Sequence, residues 1–257
     1  MRTPLVLVAH GSRDPRAAVA NRALARAVGA HAHVAFLDHD GPRPADVLLD
    51  LQAGGARQAT VVPLLLTAAY HGRVDVPAAV WAARQAGLRM PVTVADVLGP
   101  VDGVTDPLLL AALCRRLAAA DAAARVWAPA VDRLDGVVLA AAGTRDAAAR
   151  DTVEAVAAAL GTRLGGGVPC RVAYASAAGP TGAEAVRALR SEGARRIGVA
   201  SYFLAPGLLH EAVVTDARRA GAAVVAEPLG GAGELARLVL ARAAHARVPA
   251  CPMAAAA

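Results

Sequence analysis

The stretch LVLVAHGSRD, residues 5–14, decides the fold. Its opening apolar residues run without the polar alternation of a half-exposed strand, which suits a strand buried on both faces of a parallel sheet. The run stops on His10, passes through Gly11 and supplies a hydroxyl, a cation and a carboxylate at Ser12, Arg13 and Asp14. Pro15 follows, and proline is favoured at the first position of a helix, with serine or aspartate before it as a cap. A buried strand that ends on an imidazole and turns at once into a helix is the start of a βα unit.

Working outward, strand-length apolar runs alternate with alanine-rich stretches of helical period, the pattern of parallel sheets flanked by helices. The strand candidates of the first half are Leu5–Ala9, His33–Leu37, Thr60–Leu65 and Val92–Ala95. Helix candidates lie between them at Arg16–Val28, Pro44–Gly54, Val76–Gln85 and Asp106–Ala120. The rhythm breaks over Asp121–Asp135, with Pro129 and mixed charge, and then returns with strand candidates Gly136–Ala141, Arg171–Tyr174, Ile197–Phe203 and Ala222–Ala226.

The halves also match in wording. VLVAHGSRD (6–14) lies over VLAAAGTRD (138–146), AFLD (35–38) over AYAS (173–176), and VVPLLLTAAYH (61–71) over GVASYFLAPGLLH (198–210). A repeat this long is a tandem duplication of one α/β domain rather than a solenoid. The expected organisation is an N-terminal domain over 1–125, a C-terminal domain over 126–246 and a frayed tail over 247–257.

The chain has 257 residues and a net charge of +6, and all 27 of its basic residues are arginine. Nucleic acid is a poor partner, because the arginines are scattered and aromatic residues are only 3 % of the chain, too few for base stacking. An anionic metabolite fits the charge better. Cys114, Cys170 and Cys251 are odd in number and widely spaced, which suits neither a disulfide framework nor a cysteine zinc cage. No stretch reaches the roughly 20 unbroken apolar residues of a membrane span, and Met1–Pro4 lead straight into a strand-like run without a cationic start followed by a continuous apolar core, so a chain neither secreted nor membrane-bound is expected. The expected location is a reducing cytoplasm, with no membrane or nucleic-acid partner.

In an open parallel sheet, ligands bind beyond the carboxyl ends of the strands. Three such ends carry His10, Asp38 and His71, spaced 28 and 33 residues apart, about one strand-helix-strand unit each. Two imidazoles and a carboxylate form a set suited to a divalent first-row metal. For Asp38 two readings stand, a ligand or part of a solvated turn Asp38-His39-Asp40. Gly11 and Gly72, which follow the two histidines, permit close approach of a flat ligand or serve only as helix-entry turns. Arg13, Arg16 and Arg73 flank the same edge, either as carboxylate-binding groups or as ordinary surface charge. No G-x-S-x-G elbow of a hydrolase and no phosphate-binding G-x4-G-K-[ST] loop occurs.

HGSRDP (10–15), the AFLD strand end (35–38) and PLLLTAAYHGRVDVP (63–77) together resemble the signature segments of the sirohydrochlorin chelatases, relatives of anaerobic cobaltochelatase in the class II chelatase superfamily. The resemblance spans nearly the whole chain, since long members of that family also carry a second half with a weakened first motif. It implies two similar domains, each a mainly parallel sheet flanked by helices, and a lyase that inserts Fe2+ or Co2+ into sirohydrochlorin on the way to sirohaem or cobalamin. The metal, with Ni2+ as a further candidate, would be substrate, and no organic cofactor is implied. The partner would be the tetrapyrrole, handled by a monomer or a homodimer. By resemblance, His10 and His71 match the two active-site histidines, and Asp38 matches an acidic position that is often glutamate. Ala142 and Ser176 stand where the second half would carry His10 and Asp38, while His210 keeps the place of His71. His210 either faces the substrate cleft or is a structural histidine. A noncatalytic metal carrier of the same fold is the alternative function.

Overall fold

The computed structural model describes residues 2–67, 74–127, 133–165, 167–176 and 179–248. His71, Gly72 and Arg73 lie outside the described residues. Strand β1 (Leu5–Ala9) is buried along its whole length, as its unbroken apolar run requires. It pairs in parallel with β2 (Ala32–Phe36) on one side and β3 (Ala59–Pro63) on the other, and β4 (Val92–Val94) pairs with β3. The first sheet therefore has the order β2-β1-β3-β4.

Burial on both faces of β1 demands cover on both sides. Helices α2 (Pro44–Ala53) and α3 (Val76–Gln85) supply Val47, Leu48, Val76, Val80 and Ala83 to a core with Val6, Val8 and Val61. Leu5 and Leu7, on the opposite side of the pleat, are also buried. The other helix pair of this unit is α1 (Pro15–Val28) with α8 (Gly233–Ala244), which pack together and against β2 and β3 respectively.

The second sheet repeats the plan. Strands β5 (Gly136–Ala141), β6 (Cys170–Tyr174), β7 (Ile197–Ser201) and β8 (Val224–Val225) are all parallel, in the order β6-β5-β7-β8. Helices α6 (Gly182–Ser191) and α7 (Leu208–Arg219) share a core with Val138, Ala140 and Val199. Helix α5 (Ala147–Arg163) lies on β6 and packs against α4 (Pro107–Trp127), which crosses β7 and β8.

The two compact units divide the chain differently from the sequence repeat. One comprises the residues up to Val101 and those from Gly230 onward; the other comprises Asp102–Leu229. The helix that closes each half of the repeat thus packs with the sheet of the other half. Each carries an arginine clamp. Arg242 of α8 donates to the carbonyls of Val97 (3.0 Å) and Gly99 (3.1 Å), and Arg116 of α4 donates to that of Leu229 (3.0 Å).

Two expectations are corrected here. The helix expected to end at Ala120 continues to Trp127, through the first part of the expected break, because Asp121 bonds Arg125 one turn on and also reaches Arg196 before β7. Arg247, expected to open a frayed tail, forms an antiparallel bridge with Val94, its N–H donating at 3.0 Å and its carbonyl accepting at 2.7 Å. Among the described residues no helix is long and apolar enough to cross a membrane.

Candidate functional site

From β1 the chain goes to one side for β2 and to the other for β3, so the C-terminal edge opens a crevice between β1 and β3. Such a switch point is where ligands sit in open α/β sheets, since the outgoing loops diverge there. His10 leaves β1 at this edge. The residues leaving β3 do the same, held by Leu64 N–H to the Val8 carbonyl (2.8 Å) and backed by Leu98 N–H to the Leu65 carbonyl (2.9 Å). A cavity of about 1160 Å³ in this unit opens at the other edge, beside Thr3, His33 and Gln58, and among the described residues none of the candidate site residues lines it.

Pairing of β1 with β2 runs past the strands into the site. Leu37 N–H donates to Ala9 (2.9 Å) and Asp38 N–H to His10 (2.8 Å), so the histidine and the aspartate are registered neighbours. Gly11 makes this approach possible. It has φ +94°, and a Cβ on it would lie 1.8 Å from the Asp38 carbonyl oxygen. The space beside Gly11 is therefore filled by the chain's own backbone rather than kept for a flat ligand. Asp40 ties the facing loop, accepting the Ser12 N–H at 3.3 Å.

The His10 ring is partly buried, with Nδ1 3.3 Å from the Gly11 carbonyl. A carbonyl can only accept, so in this contact Nδ1 is the donor. Asp38 is exposed. The His39 backbone N–H, donated to Oδ1 at 2.8 Å, holds its carboxyl below the usual carboxylate range against the cost of desolvation, and the nearby charges of His39, Arg43 and His10 act in the same direction. Arg43 arches over the loop, donating to the Leu37 carbonyl, with its guanidinium 3.9 Å from Asp38.

The remaining candidates are spread more widely. Asp14 is the N-cap of α1, accepting from Arg16 N at 2.9 Å, and Ser12 Oγ accepts the Asp14 N–H at 3.1 Å. Arg16 pairs through Nε and Nη2 with that same Asp14 carboxylate, and Arg13 is exposed. His210 stands in the first turn of α7 and is only 8 % exposed. Ser201 Oγ donates to the Ala226 carbonyl (2.6 Å) and so must accept from His210 Nε2, 3.0 Å away. Its ring also meets Phe203 edge-on. Burial raises the thiol of Cys170 to about 12 and also raises that of Cys114, so neither offers a thiolate near neutrality.

The family model for CbiX matches residues 4–120 and again 136–246. The chain belongs to the CbiX family. Both halves are CbiX repeats, and together the matches take in most of the chain. Among solved structures, SirB from Bacillus subtilis with Fe3+ aligns at 21 % identity and a TM-score of 0.76, covering 94 % of each chain. The sirohydrochlorin chelatase SirB from Bacillus subtilis subspecies spizizenii in complex with cobalt aligns at 18 % identity and 0.74, covering 95 % of each. CbiX, described as the terminal enzyme for biosynthesis of siroheme in denitrifying bacteria, aligns at 21 % and 0.61, covering 93 % of this chain and 98 % of its own. At these identities the likeness shows the fold. No curated protein sequence matches the chain.

Within this CbiX pair the second repeat keeps the backbone pairing at this edge but has Ala142 and Ser176 in place of His10 and Asp38. Ala175 N–H donates to Ala141 (3.0 Å) and Ser176 N–H to Ala142 (3.1 Å), as in the first repeat. Gly143, at φ +90°, would put a Cβ 2.2 Å from the Ser176 carbonyl oxygen. Sequence reasoning missed Arg43, Asp40 and the approach of His39 to His10, whose ring centroids are 6.4 Å apart. Arg43 and Asp40 act through backbone contacts that no motif announces.

Proposed function

We propose that this CbiX family chain is a sirohydrochlorin chelatase, a lyase that places a divalent metal in a carboxylate-rimmed tetrapyrrole. The reading is carried by one observation: His10, leaving β1, and Asp38, leaving β2, are registered neighbours at the carboxyl edge of the sheet, while the matching positions of the second repeat are Ala142 and Ser176. One repeat retains polar chemistry on a backbone that both share.

Metallation requires the ion to shed water and two pyrrole N–H protons to leave. His10 and His71 are the proposed ligands and bases, with Asp38 as an auxiliary carboxylate that stays ionised. Imidazole serves both tasks because it binds first-row ions and exchanges protons near neutrality. The ion must be held weakly, since the ring nitrogens have to displace its protein ligands. Arg13 and Arg73 are proposed to meet the substrate's carboxylates. Arg16 would reach them only by leaving Asp14. His210, buried against Ser201, is assigned to support of its own unit rather than to substrate.

Iron, giving sirohaem, is the proposed ion, with cobalt towards cobalamin as its competitor. Imidazole and carboxylate ligands discriminate little between the two, so supply governs the choice. The test is an anaerobic absorbance assay of the purified chain with sirohydrochlorin and Fe2+ or Co2+. Protein-dependent metal insertion that is lost in His10→Ala supports the proposal. Metal binding without turnover would replace it with the carrier function.

A further inference from the structure

We infer that His39 is a metal-docking residue, forming with His10 a two-imidazole entry point for the divalent ion at the rim of the crevice. This rests on the chelatase reading and adds to it a residue that the pair of strand-end histidines does not include. The His10 and His39 rings have centroids 6.4 Å apart and planes inclined at 42°. Between metal and imidazole nitrogen the distance is about 2.0–2.1 Å, which puts each ring centroid roughly 3.2 Å from a shared ion. Two rings on one ion are then about 6.4 Å apart at the widest. The observed separation equals that limit, which is reached with the ion in line between the two rings. Asp38 supplies charge at the same place, its Oδ2 3.5 Å from His39 Nε2.

The grip would be weak. Among the described residues no three histidine, cysteine or acidic side chains gather closely enough to hold an ion. An entry point has to release what it receives, so two imidazoles beside an exposed carboxylate fit capture and hand-over better than storage.

The internal repeat serves as a control. DHDGP (38–42) aligns with SAAGP (176–180), so His39 corresponds to Ala177 and Asp40 to Ala178. Closure of the two loops is the same: Phe36 N–H donates to Pro42 (2.9 Å) and Tyr174 N–H to Pro180 (2.8 Å). The Tyr174–Pro180 bond thus forms in a repeat whose sequence carries no imidazole at this position. Where His10 and Asp38 are replaced, His39 and Asp40 are replaced with them, as expected of side chains that share one task. His39 moreover has φ +60°, a left-handed conformation that side chains with a Cβ seldom adopt and that asparagine tolerates well.

That tolerance supplies the test. His39→Asn keeps the backbone preference and removes the imidazole. Co2+ alone is titrated into the full chain and followed by its visible absorption, beside circular dichroism to verify folding. The expected result is Co2+ binding weakened about tenfold, a matching rise in KM for metal, and kcat at saturating metal within about twofold of the parent. Unchanged Co2+ affinity and KM in a folded His39→Asn protein would overturn the inference, as would additive effects of His10→Ala and His39→Asn on Co2+ affinity. If the parent binds Co2+ but never metallates sirohydrochlorin, the chelatase reading fails, while the titration still decides whether His39 docks the ion.

Discussion

Asp38 donates its backbone N–H to the carbonyl of His10 at 2.8 Å, one rung beyond the last paired residues of β1 and β2. Side-chain chemistry at the crevice is therefore set by main-chain pairing. The carboxylate is carried at a fixed register from the imidazole, and both depend on Gly11, whose missing Cβ makes room for the Asp38 carbonyl.

Gly11→Ala is expected to destabilise the protein by at least about 2 kcal/mol, since alanine is disfavoured at φ +94° and its Cβ would overlap backbone. Gly143→Ala meets the same obstacle at Ser176 and should cost a similar amount. The two should differ in function. Metal insertion per folded molecule falls in Gly11→Ala and is retained in Gly143→Ala. Denaturant unfolding combined with turnover of the folded fraction checks both halves of this expectation.

Much of this was legible in the sequence. Leu5–Ala9, Val76–Gln85 and Gly136–Ala141 have the expected bounds because their patterns are unambiguous and their ends are marked by His10, Pro77 and Gly136. That His10 and Asp38 leave adjacent strands at the same edge followed from the strand spacing. What stayed hidden depends on long-range pairing. Asp121 reads locally as a charged interruption of an alanine run, and only its contact with Arg196, far along the chain, makes it part of a longer helix. Exchange of α4 and α8 between the halves of the repeat is invisible in the sequence, because both sheets accept the same kind of helix. His39 was hidden by its left-handed backbone, which turns an apparently solvated turn back towards His10.

Arg242→Ala is expected to cost roughly 1.5–3 kcal/mol, the range for hydrogen bonds from a charged donor. It should also lower metal insertion, since the Val97–Gly99 loop it clamps backs the residues leaving β3. Arg116→Ala removes the corresponding clamp on Leu229 and should affect stability alone. Thermal midpoints of the two variants would then agree more closely than their activities.

The histidines should separate in the same way. His10→Ala and His71→Ala are each expected to abolish most metal insertion with the thermal midpoint nearly unchanged. His210→Ala should do the reverse: loss of about 1–3 kcal/mol of stability, because Ser201 is left buried without the donor at its lone pair, and near-normal turnover of the folded protein. Loss of activity equal to that of His10→Ala, in a folded His210→Ala protein, would show that the second repeat takes part in the chemistry.

The α4 contacts predict an acid limb of the stability curve. Burial by itself would raise the Asp121 carboxyl, but hydrogen bonds from Arg125 and Arg196 outweigh it and hold the group below its ordinary value. A carboxyl with a lowered folded pKa contributes stability that is fully present above the unfolded pKa of about 3.9 and is lost as pH falls through the folded value. Asp121→Asn should therefore be less stable than the parent by roughly 1–3 kcal/mol at pH 7. The gap should persist down to about pH 5 and close below about pH 4 as the parent's carboxyl is protonated. Unfolding midpoints of the pair measured from pH 7 to pH 3 would show the curves converging; a gap that stayed constant throughout would mean that Asp121 fastens α4 through packing and not through its charge.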